Sequence, residues 1–313
     1  MTRAVVCAYH DVGVRCLSVL LAHGVDVRLV LTHDDNPQEK IWFGSVAGLA
    51  HRHGIRVLTP PDPNSADMVA LIRAEAPDFL FSFYYRAMLG ADILQIAQRG
   101  ALNMHGSLLP KYRGRVPVNW AIIHGESETG ATLHYMALKP DAGPIVDQER
   151  VPILPDDTAL DVFRKVTCAA EICLHRAVPR LIDGTAAKVE QDLRSGSYFG
   201  GRSAHDGVID WSQSAQRIHD LVRAVAPPYP GASTSLGGHA VSIWRTRRLG
   251  RQRANFAVPT LFADGAALLA QAGDGAVLQI LEIAIDGVAT PVAEAALRLG
   301  RTPQPLPLPP PVA

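Results

Sequence analysis

Five short apolar or β-branched runs recur along the first third of the chain: RAVVCAY (3–9), VDVRLVLT (25–32), IRVLTP (55–60), DFLFSFYY (78–85) and ALNMH (101–105). Between them GVRCLSVLLAHG, WFGSVAGLAHRHG and SADMVALIRAEA repeat their apolar residues at helical spacing. Alternation of strand and helix predicts right-handed crossovers and a mostly parallel sheet, with ligand sites beyond the carboxyl ends of the strands. Further on, ATLHYMAL and IVDQERVPI predict two more strands, and a helical pattern from about Asp157 to Ile182 closes this half.

The stretch DGTAAKVEQDLRSGSYFGGRSAHDG (183–207) reads as a polar, Gly-rich connection. After one more helix, SAQRIHDLVRAVA, the alternating runs HAVSIWRT, AALLAQAG and AVLQILEIAIDG predict a small β-rich, barrel-like domain. The expected organisation is an α/β domain over 1–190, a linker over 191–205, a second domain over 206–303, and a Pro-rich tail over 304–313 without a fold.

Composition narrows the classes. A chain of 313 residues fits two domains of ordinary size, and 30 basic against 30 acidic residues create no field that would favour nucleic acid or an anionic membrane. Neither a signal h-region nor the ~20 apolar residues of a membrane span is present, which reads as a cytoplasmic protein with no membrane insertion. Cys7, Cys16, Cys168 and Cys173 form no C-x-x-C pair and sit in apolar periodic segments, as buried free thiols do.

Several chemistries fail on spacing. The turn after the first strand, AYHDVGVRC, has Gly13 alone where a G-x-G-x-x-G fingerprint is needed, and no Walker A sequence is present. The histidines, His51 and His53 included, make no H-E-x-x-H or Cys/His cluster, and Ser107 in HGSLLP lacks a nucleophile elbow and reads as a loop brace. What remains is Asn103 and His105, two apart on a strand and so projecting to one side, with Gly106 permitting close approach of a ligand and Pro110 stiffening the loop. Asp141 in ALKPDAGPI is the candidate carboxylate. Such a triplet suits acyl transfer: His moves the proton, Asp orients it, Asn donates to a developing oxyanion. On spacing alone a loop tied off by its own hydrogen bonds is the favoured alternative.

The words around the triplet carry a resemblance. NMHGSLLPKYRGRVPVNWAIIHGESETGATLHYMALKPDAGPIV (103–146) resembles the signature of the folate-dependent formyltransferases, with its N-x-H, S-L-L-P, R-G and later E-T-G-x-T…D-x-G. YFGGRSAHDGVIDWSQSAQRIHDLVRAVAPPYPGA (198–232) is similar to that family's junction and second-domain entry. The resemblance implies a Rossmann-like domain without NAD, followed by a smaller OB-like barrel. It implies an enzyme in which Asn103, His105 and Asp141 transfer a formyl group from N10-formyltetrahydrofolate without a metal. It also sets the pterin against Ala87, Met88, Leu89 and the loop Ala137, Leu138, Lys139, Pro140, with Arg115 nearby as a cofactor contact or a loop anchor.

Within the family, AYHDVGVRCL, THDDNPQEKIWFGSVAGLA, FSFYYRAML and HGSLLPKYRGRVPVNW resemble the UDP-4-amino-4-deoxy-L-arabinose formyltransferases of lipid A modification, a function tied to antibiotic resistance. Two departures stand out: Ala87 replaces a usually basic or polar residue, and Pro140 stands where Ala is frequent. The nucleotide pocket is only loosely indicated by Tyr84, Tyr85 and Arg86 at a strand end and by Arg202 and Arg223 near the junction. Each is equally compatible with a structural role.

The expected partners are therefore a small sugar nucleotide and folate. No nucleic acid is expected, while a homo-oligomer stays open. Some relatives are fused to a decarboxylase, and the Pro-rich end fits either a native tail or a trimmed linker. A methionyl-tRNA formyltransferase is the second reading, but the early segment LTHDDNPQEKIWFG carries Asp34, Asp35 and Glu39 against Lys40 alone, which would repel an acceptor stem. A non-catalytic folate- or nucleotide-binding module is the third.

Overall fold

The computed structural model describes residues 1–37 and 41–308, the side chains of 251–253 excepted. The chain divides into two compact units, one of Met1–Pro117, Glu128–Pro152 and Phe163–Gly200, the other of Val118–Ser127, Ile153–Val162 and the chain from Gly201 onward.

The first unit is built from β1 (Arg3–Ala8), α1 (His10–Ala22), β2 (Asp26–Leu31), α2 (Val46–Arg52), β3 (Arg56–Leu58), α3 (Ala66–Ala74), β4 (Phe79–Phe83), α4 (Ala91–Leu94), β5 (Ala101–His105), β6 (Arg113–Gly114), the start of α5 (Pro117–Ile123), β7 (Glu128–Tyr135), β8 (Ile145–Pro152), most of α6 (Ala159–Asp183) and β9 (Tyr198–Phe199). Its seven strands run in the order β3-β2-β1-β4-β5-β7-β8. β1 to β5 are mutually parallel, and β7 and β8 add an antiparallel edge. β4 is buried at every position and β1 at all but its first, as strands covered on both faces must be. Val5, Leu29, Leu31 and Leu80 from the sheet pack with Ile72 of α3 and Ile93 of α4 in one core cluster.

Local chemistry trims several expected elements. WFGSVAGLAHRHG becomes helical only at Val46, because Ser45 caps α2 by accepting the Gly48 N–H, and Trp42 and Phe43 stay outside. The expected turn after β1 shrinks to Tyr9, and Gly13 lies inside α1. A Cβ there would sit 3.0 Å from Val46 Cγ2 and 3.1 Å from Ala8 Cβ, so this glycine serves packing.

The expected linker is the largest difference. Tyr198–Phe199 form a strand, β9, that pairs in parallel with β6, joining Arg113 to Tyr198 and Gly114 to Phe199. Two glycines make the approach possible: a Cβ on Gly114 would lie 2.1 Å from Phe199 O, and one on Gly196 2.2 Å from Pro110 O.

The second unit carries β10 (Ala232–Leu236), β11 (His239–Arg253), β12 (Thr260–Asp264), β13 (Ala267–Gln271), β14 (Ala276–Ile285), β15 (Val288–Thr290) and β16 (Gln304–Pro305), with α7 (Ala215–Ala224) and α8 (Val292–Leu299). Its antiparallel path is β10-β11-β14-β13-β12-β16, with β15 on β14. Irregularities around Arg245 in the β11–β14 ladder curl the sheet. Trp211, fully buried, donates from Nε1 to Thr234 Oγ1 at 3.0 Å. The expected tail begins inside this fold: Gln304 and Pro305 pair with β12 and Leu306 is buried, whereas 309–313 lie outside the described residues. Cys7, Cys16 and Cys173 are buried free thiols, but Cys168 is exposed on α6. Among the described residues no helix is long and apolar enough to cross a membrane.

Candidate active site

The site grows from one antiparallel ladder. β5 pairs with β7 so that Asn103 lies opposite His134 and His105 opposite Thr132. The twofold period of a strand then puts all four side chains on one face, at the carboxyl end of β5. The loop after β7 folds back on itself, with Tyr135 N–H donating to Pro144 O at 2.8 Å. Gly143 allows this, since a Cβ there would lie 2.0 Å from Tyr135 O. That fold brings Asp141 over the ladder.

Three side chains converge on Asp141 Oδ1: His105 Nδ1 at 3.5 Å, His134 Nε2 at 3.5 Å and Asn103 Nδ2 at 3.4 Å. The second oxygen, Oδ2, accepts the Gly114 N–H at 2.8 Å. Burial alone would raise the Asp141 pKa. The charge of a protonated His105 and the Gly114 amide hydrogen bond act against burial and hold the carboxyl well below the usual carboxylate range. Asp141 is thus a largely buried carboxylate favoured in its ionised form, with the Gly114 amide on one oxygen and Asn103 Nδ2 near the other.

Fixed acceptors set the ring hydrogens. His105 Nε2 lies 2.8 Å from Tyr112 O, and a carbonyl can only accept, so Nε2 carries hydrogen and Nδ1, facing Asp141, is the basic atom. His134 Nδ1 lies 2.8 Å from Tyr135 O and carries hydrogen by the same argument. Its Nε2 accepts from Asn103 Nδ2 at 3.2 Å. Asn103 thereby presents its amino group to the site, with one N–H on His134 and the other only loosely engaged by Asp141.

The strap over the site, residues 106–115, is pinned at both ends. Thr132 Oγ1 donates to Ser107 O (2.6 Å), accepts from Leu109 N (3.1 Å) and is held by Gln148 Nε2 (2.9 Å). Ser107 braces the loop through Lys111 O at 2.7 Å. At the far end Tyr112, Gly114 and Val116 take positive φ values of 56°, 97° and 46°, and Asp141 takes 52°. Left-handed backbone at non-glycine residues costs energy and gathers where function over-determines it.

Of the expected residues, Asn103, His105 and Asp141 are brought together. Leu89 belongs to the core cluster, while Met88 is 61% and Leu138 73% exposed on the loops after β4 and β7. Ala137 and Lys139 are exposed beside Leu138, with Pro140 half-buried. Ala87 lies on the β4 loop, where Asn64 Nδ2 donates to Met88 O at 2.9 Å. Arg115 is exposed, and its N–H donates to Phe199 O at 2.9 Å. The space above Gly106, expected to admit a ligand, is filled by Tyr84, whose hydroxyl would lie 2.0 Å from a Cβ there. Tyr85 stacks on His33 at 4.2 Å, and Arg86 covers the Tyr9 ring at 4.8 Å. Tyr9 in turn donates to Asp35 Oδ1 at 2.8 Å; Glu39 and Lys40 of the early acidic segment lie outside the described residues.

Arg202 and Arg223 belong to the second unit. Arg223 is spent internally, on Asp220 Oδ1 and on the carbonyls of Leu154 and Asp157, which makes it a structural anchor. Arg202 is half-buried and donates to Asp206 O at 3.2 Å.

Sequence reasoning missed His134, Thr132, Gln191 and Ser197. The alternation in ATLHYMAL was the available signal for the first two, since it puts Thr132 and His134 on one face. Gln191, inside the expected linker, pins the Asp141 loop by donating to Asp141 O (3.1 Å) and Gly143 O (2.6 Å), and no local pattern announces that.

Comparison with known proteins follows this geometry. The family described as Formyl transferase matches residues 17–178, and that described as Formyl transferase, C-terminal domain, matches residues 202–298. The chain is similar to an N-formyltransferase from Helicobacter canadensis solved with folinic acid and dTDP-3-aminofucose, at 20% identity over 90% of this chain and 99% of that one, TM-score 0.70. It is similar to WlaRD, a sugar 3N-formyl transferase solved with dTDP and 5-N-formyl-THF, at 18% identity over 90% and 97%, TM-score 0.71. A sugar N-formyltransferase from a Shewanella species matches at 20% identity over 76% and 94%, TM-score 0.60. At such identities the likeness establishes the fold.

Proposed function

This chain belongs to the formyl transferase family, and from that premise we propose that it transfers a formyl group from N10-formyltetrahydrofolate to the amine of a sugar nucleotide. The observation that carries the reading is the convergence of Asn103, His105 and His134 on the ionised Asp141. Transfer of an acyl group to an amine needs a proton taken from the nucleophile, a proton given to the leaving nitrogen, and stabilisation of charge developing on the acyl oxygen.

Bound N10-formyltetrahydrofolate supplies the formyl carbon, with N10 as the leaving nitrogen. His105 Nδ1, beside Asp141, takes the amine proton, and Asp141 stabilises the imidazolium so formed. Both of its nitrogens then carry hydrogen, Nε2 toward Tyr112 O and Nδ1 toward Asp141, and Nδ1 gives its proton to N10 as the bond from the formyl carbon to N10 breaks, which restores neutral His105 and releases tetrahydrofolate. The loosely engaged N–H of Asn103 donates to the formyl oxygen, an interaction worth ~3 kcal/mol in comparable sites. The exposed Met88 and Leu138, with Ala87, Ala137, Lys139 and Pro140, suit the flat pterin, and Arg115 suits the cofactor's anionic tail. Tyr84, Tyr85 and Arg86, at the end of β4, are assigned to the nucleotide.

The first candidate acceptor is UDP-4-amino-4-deoxy-L-arabinose, on the strength of the motif resemblance. One solved neighbour is described with dTDP-3-aminofucose and another as a sugar 3N-formyl transferase, so the test is a panel of UDP- and dTDP-linked 3-amino and 4-amino sugars with formyltetrahydrofolate, read by the mass gain of one formyl group. Initiator methionyl-tRNA is included. Formylation of the UDP-linked 4-amino sugar above all others is the expected result; formylation of the tRNA alone would overturn the reading.

A further inference from the structure

We propose that Ser197 is a positioning residue for the His105–Asp141 pair, acting through the backbone strap that supplies both with hydrogen-bond partners; the inference rests on the reading of this site as a formyl-transfer centre. The strap offers Tyr112 O to His105 Nε2 at 2.8 Å and Gly114 N–H to Asp141 Oδ2 at 2.8 Å. A single residue, 113, separates these two contacts, so one displacement of the strap loosens both.

The strap's conformation is not self-supporting. Tyr112 and Gly114 both have positive φ, and a segment in that state holds its shape only when its surroundings over-determine it. Ser197 provides much of that support. Its N–H donates to Pro110 O at 3.2 Å, and its carbonyl accepts the Arg113 N–H at 3.0 Å and Arg113 Nε at 3.3 Å. Its Oγ accepts the Tyr112 N–H at 2.9 Å. Phe199 adds a ring stacked on Tyr112, 5.4 Å between centroids and 16° between planes. Ser197 thus holds Pro110, Tyr112 and Arg113 from a position more than eighty residues along the chain, in the segment the sequence presents as a linker.

The tautomer of His105 reports on this device without any substrate. In the neutral ring one of two contacts must give up its hydrogen, and the 2.8 Å contact to Tyr112 O retains it over the 3.5 Å contact to Asp141. If the Tyr112 carbonyl withdraws, the hydrogen moves to Nδ1 and points at the carboxylate. That removes the basic atom from the site.

The experiment compares the wild type with Ser197→Ala, which deletes the acceptor, and Ser197→Thr, which keeps it. The 15N shifts of the His105 ring are read at a pH where it is neutral. The expected result is hydrogen on Nε2 in the wild type and Ser197→Thr, and a shift toward Nδ1 in Ser197→Ala. In parallel, kcat of Ser197→Ala should fall about tenfold or more with the KM for folate little changed, as misplacement without lost binding predicts. Should the alanine variant fold poorly, Ser197→Cys keeps the volume with a weak acceptor and is expected between the two. An unchanged His105 tautomer in a folded Ser197→Ala or Ser197→Cys protein overturns the proposal. The NMR arm needs no acceptor sugar, so its failure is distinguishable from failure of the assigned reaction.

Discussion

Asn103 and His134 face one another across the β5–β7 ladder, the amide Nδ2 3.2 Å from the imidazole Nε2. Because Tyr135 O claims the hydrogen of His134 Nδ1, this histidine acts as an acceptor of fixed direction and sets which end of the Asn103 amide enters the site. A glutamine can place a carbonyl where Nε2 stands. His134→Gln is expected to keep kcat within a few-fold of wild type, and His134→Leu to lose about tenfold or more with folate-analogue binding preserved. Equal loss in both variants would show that the acceptor is not what matters.

Asn103→Ala and His105→Ala should each lower kcat by ~10²-fold or more, the scale of a lost oxyanion donor or general base. Steady-state kinetics with the formylated sugar as product, alongside circular dichroism of each variant, tests this. Near-normal turnover in either removes that residue from the chemistry.

Asp141 leaves a signature in stability against pH. Its folded-state pKa is depressed, so its contribution is fully present above the unfolded carboxyl pKa and is lost as pH falls through the folded value. The stability gap between wild type and Asp141→Asn should therefore be constant just above ~pH 5 and shrink steadily below it. Urea denaturation of both proteins from pH 6 downward measures the gap. A gap that widens toward acid would contradict the assignment of an ionised, donor-bound carboxylate.

Gly114→Ala meets two penalties, a φ of +97° and a Cβ that would lie 2.1 Å from Phe199 O. It should cost about 1–3 kcal/mol of stability and separate β6 from β9, with activity falling more steeply than stability. Thermal unfolding and kcat are the measurements. Wild-type values for both would mean that the strap tolerates a side chain and does not need the close approach.

The wild-type stability should also depend on Trp211. It is fully buried and hydrogen-bonded to Thr234, so Trp211→Ala is expected to cost ~3–5 kcal/mol by the cavity and the orphaned hydroxyl partner. Trp211→Phe should recover much of the loss. Denaturant midpoints that leave the alanine variant unchanged would refute this account of the second unit's core.

What the sequence by itself determined is whatever depends on near neighbours in the chain. The alternation of strand and helix followed from apolar spacing, and Asn103 and His105 were legible as a pair because residues two apart on a strand share a face. Asp141 could be named as a chemical type, and its family words supported it, but no periodicity placed it 3.5 Å from His105. Tertiary structure decided that, through the β5–β7 register, the return of the 136–143 loop and the Gly114 amide. It also decided that residues 191–199 belong to the site. A run of Gly, Ser and Asp reads as a linker because it has no apolar face to bury, and periodicity measures only burial. Here the segment is fixed by backbone hydrogen bonds to β6, made possible by the missing side chains of Gly114 and Gly196. Such pairing depends on where two distant stretches of backbone meet, and that information lies in the closed fold.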